Sequence, residues 1–353
     1  MATEKSPLVA VHTLQNTTPE KSLHFVDDGR LIQDVAELGG TLVLSTRDTF
    51  DKGEYRIPHI EKDGNVQFSA ASLGTDSLSA LYARPTGSIN RPGSESVPKL
   101  NANELKTLAG SKIELYEKVL SSYQVETHLV GFDDPLAMAS IADTVHAVAT
   151  DRVILKENGG FGGYSTKVME KNDALSWISE QLETGKTPDH VLQPQIMFGR
   201  LPDGIAAVGT PDEKALVERA RKDALLTELR MFVVKRGEDL DMVPILRVVP
   251  DKTLAMKGTN DDYIDVEMPD DLLAALRFST ADIMNRATAA AGDVEFALGA
   301  VDYYFDEQGL PAVMEANFRS PQLPITSENP IAGRALHKSI AKTLIAMSNQ
   351  KEQ

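Results

Sequence analysis

The sequence predicts a mixed α/β fold, with parallel units near the start and α+β character later, and three observations lead there. In the first hundred residues, short β-prone runs alternate with a stretch of helical spacing, the pattern of parallel pairing. In the middle, a strand, a glycine-rich turn and a second strand follow one another from Arg152 to Glu170. Towards the end, two long apolar hairpins are separated by a long helical stretch.

Composition narrows the class. A chain of 353 residues is long enough for two or three domains with their own cores. Acidic residues outnumber basic ones, 52 to 36, for a net charge of −16. Nucleic acid and anionic membrane are therefore disfavoured as main partners, although a local basic cleft can still hold phosphate. The absence of cysteine excludes thiol catalysis, disulfides and zinc-thiolate sites. Met1-Ala2-Thr3-Glu4-Lys5 opens without an apolar segment, and no window reaches membrane-spanning length, so a cytoplasmic location is expected.

In order, Pro7 to Leu14 reads as a strand, and Asp28 to Leu38 as a helix stopped by Gly39-Gly40. Thr41 to Thr46 and Ser79 to Ala83 are further strands, while 51–74 has no assignable pattern and 85–99 reads as a loop or linker. Helical spacing then runs from Asn103, the expected N-cap, to about Tyr123. Ala109-Gly110-Ser111-Lys112 interrupts it, which allows two helices with Ser111 capping the second. Val125 to Val130 is a short strand, and Asp134-Pro135 starts a helix reaching about Ala149.

Arg152 to Glu157 and Thr166 to Glu170 are strands, with helices expected over Asn172–Thr184 and Pro211–Leu226. His190 to Gln195 is a strand whose Pro194 marks an edge or an end. Glu228–Val234 and Met242–Val249 form a hairpin turning at Arg236-Gly237-Glu238-Asp239. Met256 to Asp262 is a polar loop, and helices cover about 270–291 and 329–347. The histidines of the N-terminal part, His12, His24 and His59, are isolated from one another, which favours structural roles.

Three places carry candidate chemistry. The first is the hairpin Glu295–Asn317. With residues 307–310 as its loop, 306 faces 311 and Asp302 lies opposite Glu315, while Asn317 shares the face of Glu315 because side chains repeat every second residue. Two carboxylates and an amide then share a patch with no cation among them, a hard-oxygen set suited to Mg²⁺ or Mn²⁺ shared with phosphate. A solvated acidic face is the competing reading. Arg319 adds a cation nearby.

The second is Lys156 followed by Gly159, Gly160, Gly162 and Gly163. Such a turn can wrap phosphate with successive N–H groups, or be only a mobile hairpin. It is neither a Walker loop nor a dinucleotide fingerprint, because a strand follows it. Lys112, at a helix start, is either an ordinary surface lysine or a cation held for an anionic ligand. The third is the sheet pair Glu228 and Arg230, a carboxylate and a guanidinium on one face that pair with each other or hold ligand.

Together these parts resemble the ATP-grasp superfamily of ADP-forming carboxylate–amine ligases, and within it the glutathione synthetase and ribosomal-protein glutamate ligase branch. The resemblance covers roughly residues 100–330 and is most specific at Glu315-Ala316-Asn317-Phe318-Arg319-Ser320-Pro321. It implies an N-terminal pre-ATP-grasp domain at 1–100, a lid-containing subdomain at 101–195 and a C-terminal subdomain with the metal site at 196–353. ATP would be held by Lys112, Lys156 and the glycine turn, with Gln193, Gln195 and Ile196 at the adenine hinge. Glu228 and Arg230 match the family's acidic-x-Arg strand and Arg247 its following arginine. Asp302, Glu315 and Asn317 match the metal ligands. The stretch 197–227 has no assigned counterpart, and the ribose contact stays unassigned.

The activity implied is amide or peptide bond formation through an acylphosphate, with Arg230, Arg247 and Arg319 catalytic and an amino acid or small peptide as substrate. A homo-oligomer is implied too. A kinase of the same fold and a non-catalytic nucleotide-binding module are the alternatives.

Overall fold

A computed structural model describes residues 6–13, 30–46, 52–61, 65–74, 77–83, 96–132, 138–160, 166–185, 187–196, 198–223, 225–249, 262–319, 321, 323 and 329–351. The expected polar loop 256–262 lies outside these residues except for Asp262.

Strands β1 (Leu8–Thr13), β2 (Thr41–Thr46) and β5 (Ala80–Ala83) form the parallel centre of a six-stranded sheet, ordered β4-β3-β2-β1-β5-β6. Helix α1 (Arg30–Glu37) connects β1 to β2 and is closed by Gly39 at φ +84°, a conformation that glycine reaches without Cβ strain. Two segments differ from expectation. Residues 51–74 hold an antiparallel hairpin, β3 (Glu54–Ile60) and β4 (Val66–Ser72), and Lys99–Leu100 pairs with β5 as β6. The β4 sequence, VQFSAAS, lies at the sheet edge with none of it fully buried, and its apolar alternation stops after Val66 and Phe68, too short to read.

Helix α2 (Asn103–Leu108) follows, with Ala102 rather than Asn103 at its N-cap and no side-chain cap. Helix α3 (Lys112–Leu115) is separate and capped by Ser111, whose hydroxyl accepts from Glu114 N at 3.3 Å. A π-helical turn, Tyr116–Leu120, extends it. The antiparallel sheet β7-β10-β8-β9 comes next, built from β7 (His128–Val130), β8 (Arg152–Glu157), β9 (Lys167–Glu170) and β10 (His190–Pro194). Val153, Leu155 and Leu192 pack on Val145 of α4 (Met138–Ala147) and on Ile178 and Leu182 of α5 (Lys171–Thr184). Pro194 sits at a strand end, on an interior strand.

The largest core surrounds the sheet β14-β13-β12-β16-β17. Its long hairpin is β12 (Leu226–Arg236) with β13 (Asp239–Val249), and β14 (Asp262–Ile264) pairs with β13. The second hairpin is β16 (Phe296–Phe305) with β17 (Pro311–Asn317). Helix α6 (Pro211–Asp223) and the two-stranded pair of β11 (Ala206–Ala207) with β15 (Val266–Glu267) lie beside this sheet.

Odd-numbered β12 residues, Leu229, Met231 and Val233, join a core with Leu276, Ile283 and Met284 of α7 (Asp270–Ala290). Even-numbered Phe232 and Val234 lie with Leu336, Ile340 and Leu344 of α8 (Pro330–Lys351), in a core continuous with the N-terminal sheet. Farther along that even-numbered face the chemistry changes from apolar to charged, at Arg230 and Glu228. Period-2 alternation continues through the change, so one sheet face serves as core at one end and as site floor at the other.

Candidate functional site

The floor of the site is one row across three strands. Arg230 on β12 pairs with Asp302 on β16, and Asp302 pairs with Glu315 on β17. The opposition of Asp302 and Glu315 is as expected, but the route to it is not. The hairpin loop is one residue longer, 306–310, with Phe305 facing Pro311, and a bulge then passes over Met314 between the Tyr303–Val313 and Asp302–Glu315 pairs. The two departures offset each other, and Asn317 follows in register opposite Ala300.

The patch does have a cation within it, contrary to the sequence reading. Arg230 grips Asp302 with both arms of its fork, Nε to Oδ1 at 2.6 Å and Nη2 to Oδ2 at 2.9 Å. Arg230 also donates to Glu228 at 3.3 Å and to the Tyr263 hydroxyl at 3.3 Å, while Arg247 Nη1 donates to Glu228 Oε2 at 2.7 Å. Arg247, Glu228, Arg230 and Asp302 thus form one alternating chain of basic and acidic groups, buried except at the half-buried Arg247 end. Burial pushes the Glu228 carboxyl up to about 8, with Asp302 adding to the rise against the opposing pull of Arg230 and Arg247.

Lys112 lies at the start of α3. Its ammonium donates to the carbonyls of Glu157 at 3.0 Å and of Gly160, so the lysine is latched to the glycine turn. Burial lowers its pKa, opposed by the Glu315 carboxylate and reinforced by Lys156. Those influences place Lys112, Lys156, Glu315 and Arg319 in one electrostatic neighbourhood. Gly110 brings the chain close to Arg319, since a Cβ there would lie 3.8 Å from its Cζ, and Gly159 packs against the Gly110 carbonyl. Gly162 and Gly163 lie outside the described residues.

The segment expected to be the adenine hinge has its polar groups largely engaged within the chain. Gln193 is buried and its amide donates to Thr127 Oγ1 at 2.8 Å, which leaves its Oε1 buried without a partner among the described residues. The Gln195 N–H, just past the strand end at Pro194, points to both Arg152 O at 3.1 Å and Thr150 Oγ1 at 3.2 Å. Ile196 is buried.

Sequence reasoning passed over several residues here. Asn158 ties the glycine turn to α3, its Oδ1 accepting from Ile113 N at 3.0 Å and its amide donating to Ser111 Oγ at 3.3 Å. Its place inside the glycine run was the available signal. Asn101, at φ +61°, donates from its amide to Leu298 O and Phe318 O and accepts from Leu298 N, pinning the end of the acidic hairpin. Nothing local in the sequence announces Asn101 or Tyr263, because their partners lie far along the chain.

The donor set fits a hard divalent ion that completes its shell with phosphate and water. Among the described residues there is no cluster of three or more His, Asp or Glu side chains arranged to hold a metal. What exists is two carboxylates and an amide, the number expected where the ion takes its remaining ligands from substrate phosphate. Asp302 keeps lone pairs beyond its two bonds to Arg230. The surrounding cations suit an anion of high charge.

No family model matches the sequence, and no curated protein matches it either. Solved structures do match its fold. D-cycloserine synthetase DcsG superposes with a TM-score of 0.59 at 16% identity, over 96% of this chain and 99% of that one. The D-alanine-D-alanine ligase from Coxiella burnetii gives 0.58 at 10% identity, over 98% of both chains. A RimK domain ATP-grasp protein from Sphaerobacter thermophilus DSM 20745 gives 0.51 at 16% identity, over 95% of this chain and 98% of that one. These matches do not single out the glutathione synthetase and glutamate ligase branch. At such identities the likeness is one of architecture: over nearly its whole length, this chain has the ATP-grasp fold.

Proposed function

We propose that this protein is an ATP-dependent, ADP-forming ligase that joins a carboxylate to an amine through an acylphosphate, acting on an amino acid or a small peptide. The observation that carries the reading is the Arg230–Asp302–Glu315 row, whose Glu315 acts on Lys112, a lysine bonded to the carbonyls of the glycine turn.

Lys112 and Lys156 hold the phosphates of ATP, and the carbonyls of Glu157 and Gly160 orient the Lys112 ammonium towards them. Asp302, Glu315 and Asn317 are the residues that would hold Mg²⁺ or Mn²⁺. Such an ion, when bound, neutralises charge on the β- and γ-phosphates during phosphoryl transfer. Arg247 and Arg319 position the substrate carboxylate, whose oxygen attacks the γ-phosphorus as the bond to ADP breaks. An amine then attacks the acyl carbon and phosphate leaves. Arg230 fixes the Asp302 carboxylate in orientation, which makes it a positioning residue. The glycine turn, tied down through Asn158 and Lys112, excludes water that would otherwise hydrolyse the acylphosphate. The 1–100, 101–195 and 196–353 divisions would serve as the pre-ATP-grasp, lid and metal-bearing parts.

The test is phosphate release from Mg-ATP against pools of amino acids and dipeptides, with mass spectrometry of the products. Acceptor-dependent phosphate together with an amide product is expected. A stable phosphorylated product would identify a kinase, and nucleotide binding without turnover for any acceptor would identify a binding module.

A further inference from the structure

The bulge at Met314 raises a question of register that the hairpin itself does not answer. Val313 shares the core with Tyr303, its cross-strand partner, and plain alternation from there would send Met314 to the Asp302 face and Glu315 back into the core. Continuing the hairpin's own register, with Tyr303 facing Val313, would set Asp302 against Met314 and Val301 against Glu315. The site would then present a thioether where it needs a carboxylate, and a carboxylate would be driven against buried Val301. The extra residue prevents this, and a bulge leaves part of the backbone ladder without its regular partner.

Gln124 engages the bulge from outside the hairpin. Its backbone forms an isolated parallel bridge with Val313, and its side-chain amide donates to the Met314 carbonyl. The residue is itself held firmly, since Gln124 N donates to Leu120 O at 2.9 Å. Its neighbour Tyr123 donates to Asp282 Oδ2 of α7 at 2.6 Å. The segment ending at Gln124 begins at Lys112, so one short α3–π-turn unit carries both the lysine and the clamp.

We propose that Gln124 is a positioning residue: by bonding the Met314 carbonyl it holds the bulge that turns Glu315 into the divalent-ion site beside Asp302. This rests on Glu315 being a metal ligand, as argued under the proposed function. The role is transmitted through the backbone, and Gln124 touches neither ion nor nucleotide.

The test is Mn²⁺ binding in the presence of ADP, followed by electron paramagnetic resonance, in full-length wild type, Gln124→Met, Glu315→Gln and a Met314 deletion. Gln124→Met keeps side-chain length but cannot donate. Roughly tenfold weaker Mn²⁺ binding is expected, the loss typical when support behind a ligand is removed. ADP affinity in EDTA should be unchanged, a readout that general loosening of the fold would move. Deleting Met314 makes the hairpin regular with Glu315 still opposite Asp302, so adding Gln124→Met to the deletion should cost nothing further. Wild-type Mn²⁺ affinity in Gln124→Met, with weakened affinity in Glu315→Gln, overturns the role of Gln124 alone. Wild-type affinity in Glu315→Gln overturns the ligand assignment and the inference with it. Should Gln124→Met fail to fold, the deletion background decides: equal Mn²⁺ affinity with Gln124 or Met supports the clamp, and a further loss overturns it.

Discussion

The two hairpins of the central sheet carry the site in different ways. The β12–β13 hairpin runs in unbroken register from Leu226–Val249 to Arg236–Asp239, so its turn alone dictates that Glu228 meets Arg247. The β16–β17 hairpin carries the proposed metal ligands and does not run unbroken, because its register shifts between Asp302 and Tyr303. Outside contacts hold it: Gln124 at the bulge, Asn101 at the far end, and Arg230 reaching across from β12. Register written into a turn is local and legible, whereas register held by remote side chains belongs to the tertiary structure. The comparison also explains how the expected opposition of Asp302 and Glu315 came true through two compensating errors.

The comparison is broken most severely at Arg230, the bond between the hairpins. Arg230→Met would leave Asp302 buried without the guanidinium that grips it, and Glu228 on the neighbouring strand held by Arg247 alone. Removing one partner of such a network costs about 3–5 kcal/mol, so urea unfolding should show a loss of that size. Next comes Gly299→Ala, because a Cβ there would meet the Phe318 ring at 2.4 and 2.5 Å. Phe318 is fully buried and adjoins Arg319. Overpacking of roughly 1–3 kcal/mol is expected, with ATP affinity falling as the ring pushes the tail outwards.

At the regular hairpin, a Cβ at Gly237 would meet only an ordinary contact with Glu295 Oε1 at 3.8 Å, so the cost of Gly237→Ala comes from φ +60° at the turn. About 1 kcal/mol should be lost, with no change in Mn²⁺–ADP binding, since that turn is far from the row. The smallest effect on stability is expected from Lys112→Met. It removes the latch to Glu157 and Gly160 and should raise amide exchange across the glycine turn while weakening ATP binding. Unchanged exchange there would mean that Asn158 alone holds the turn.

Much of the fold was legible because its periodicities are local. The TLVLST strand, the helix closed by Gly185 at φ +60°, and the long hairpins follow from alternation and glycine placement. The hairpin over 54–72 was not, because its outer strand is half-exposed and nearly devoid of large apolar residues. Ser111 was legible as a cap by the spacing of its surroundings. Asn103 was misread, because the helix starts one residue earlier than expected: Ala102 holds the cap position and Asn103 is already in the first turn.

In the site, alternation alone could group Glu228 with Arg230, and Asp302 with Glu315 and Asn317. It could not show that Arg230 engages Asp302, since that contact spans 72 positions of sequence. Gln124 was invisible for the same reason, being 190 positions from the carbonyl it binds.

The central claim is that a divalent ion sits on the β16–β17 hairpin and joins the nucleotide's phosphates to the sheet. Anomalous scattering from crystals grown with Mn²⁺ and ADP tests it without reference to turnover. The account predicts a manganese peak roughly 2 Å from oxygens of Asp302, Glu315 and Asn317, the distance usual for a small hard cation. A peak held by other residues, or nucleotide bound with no metal at that hairpin, would contradict it.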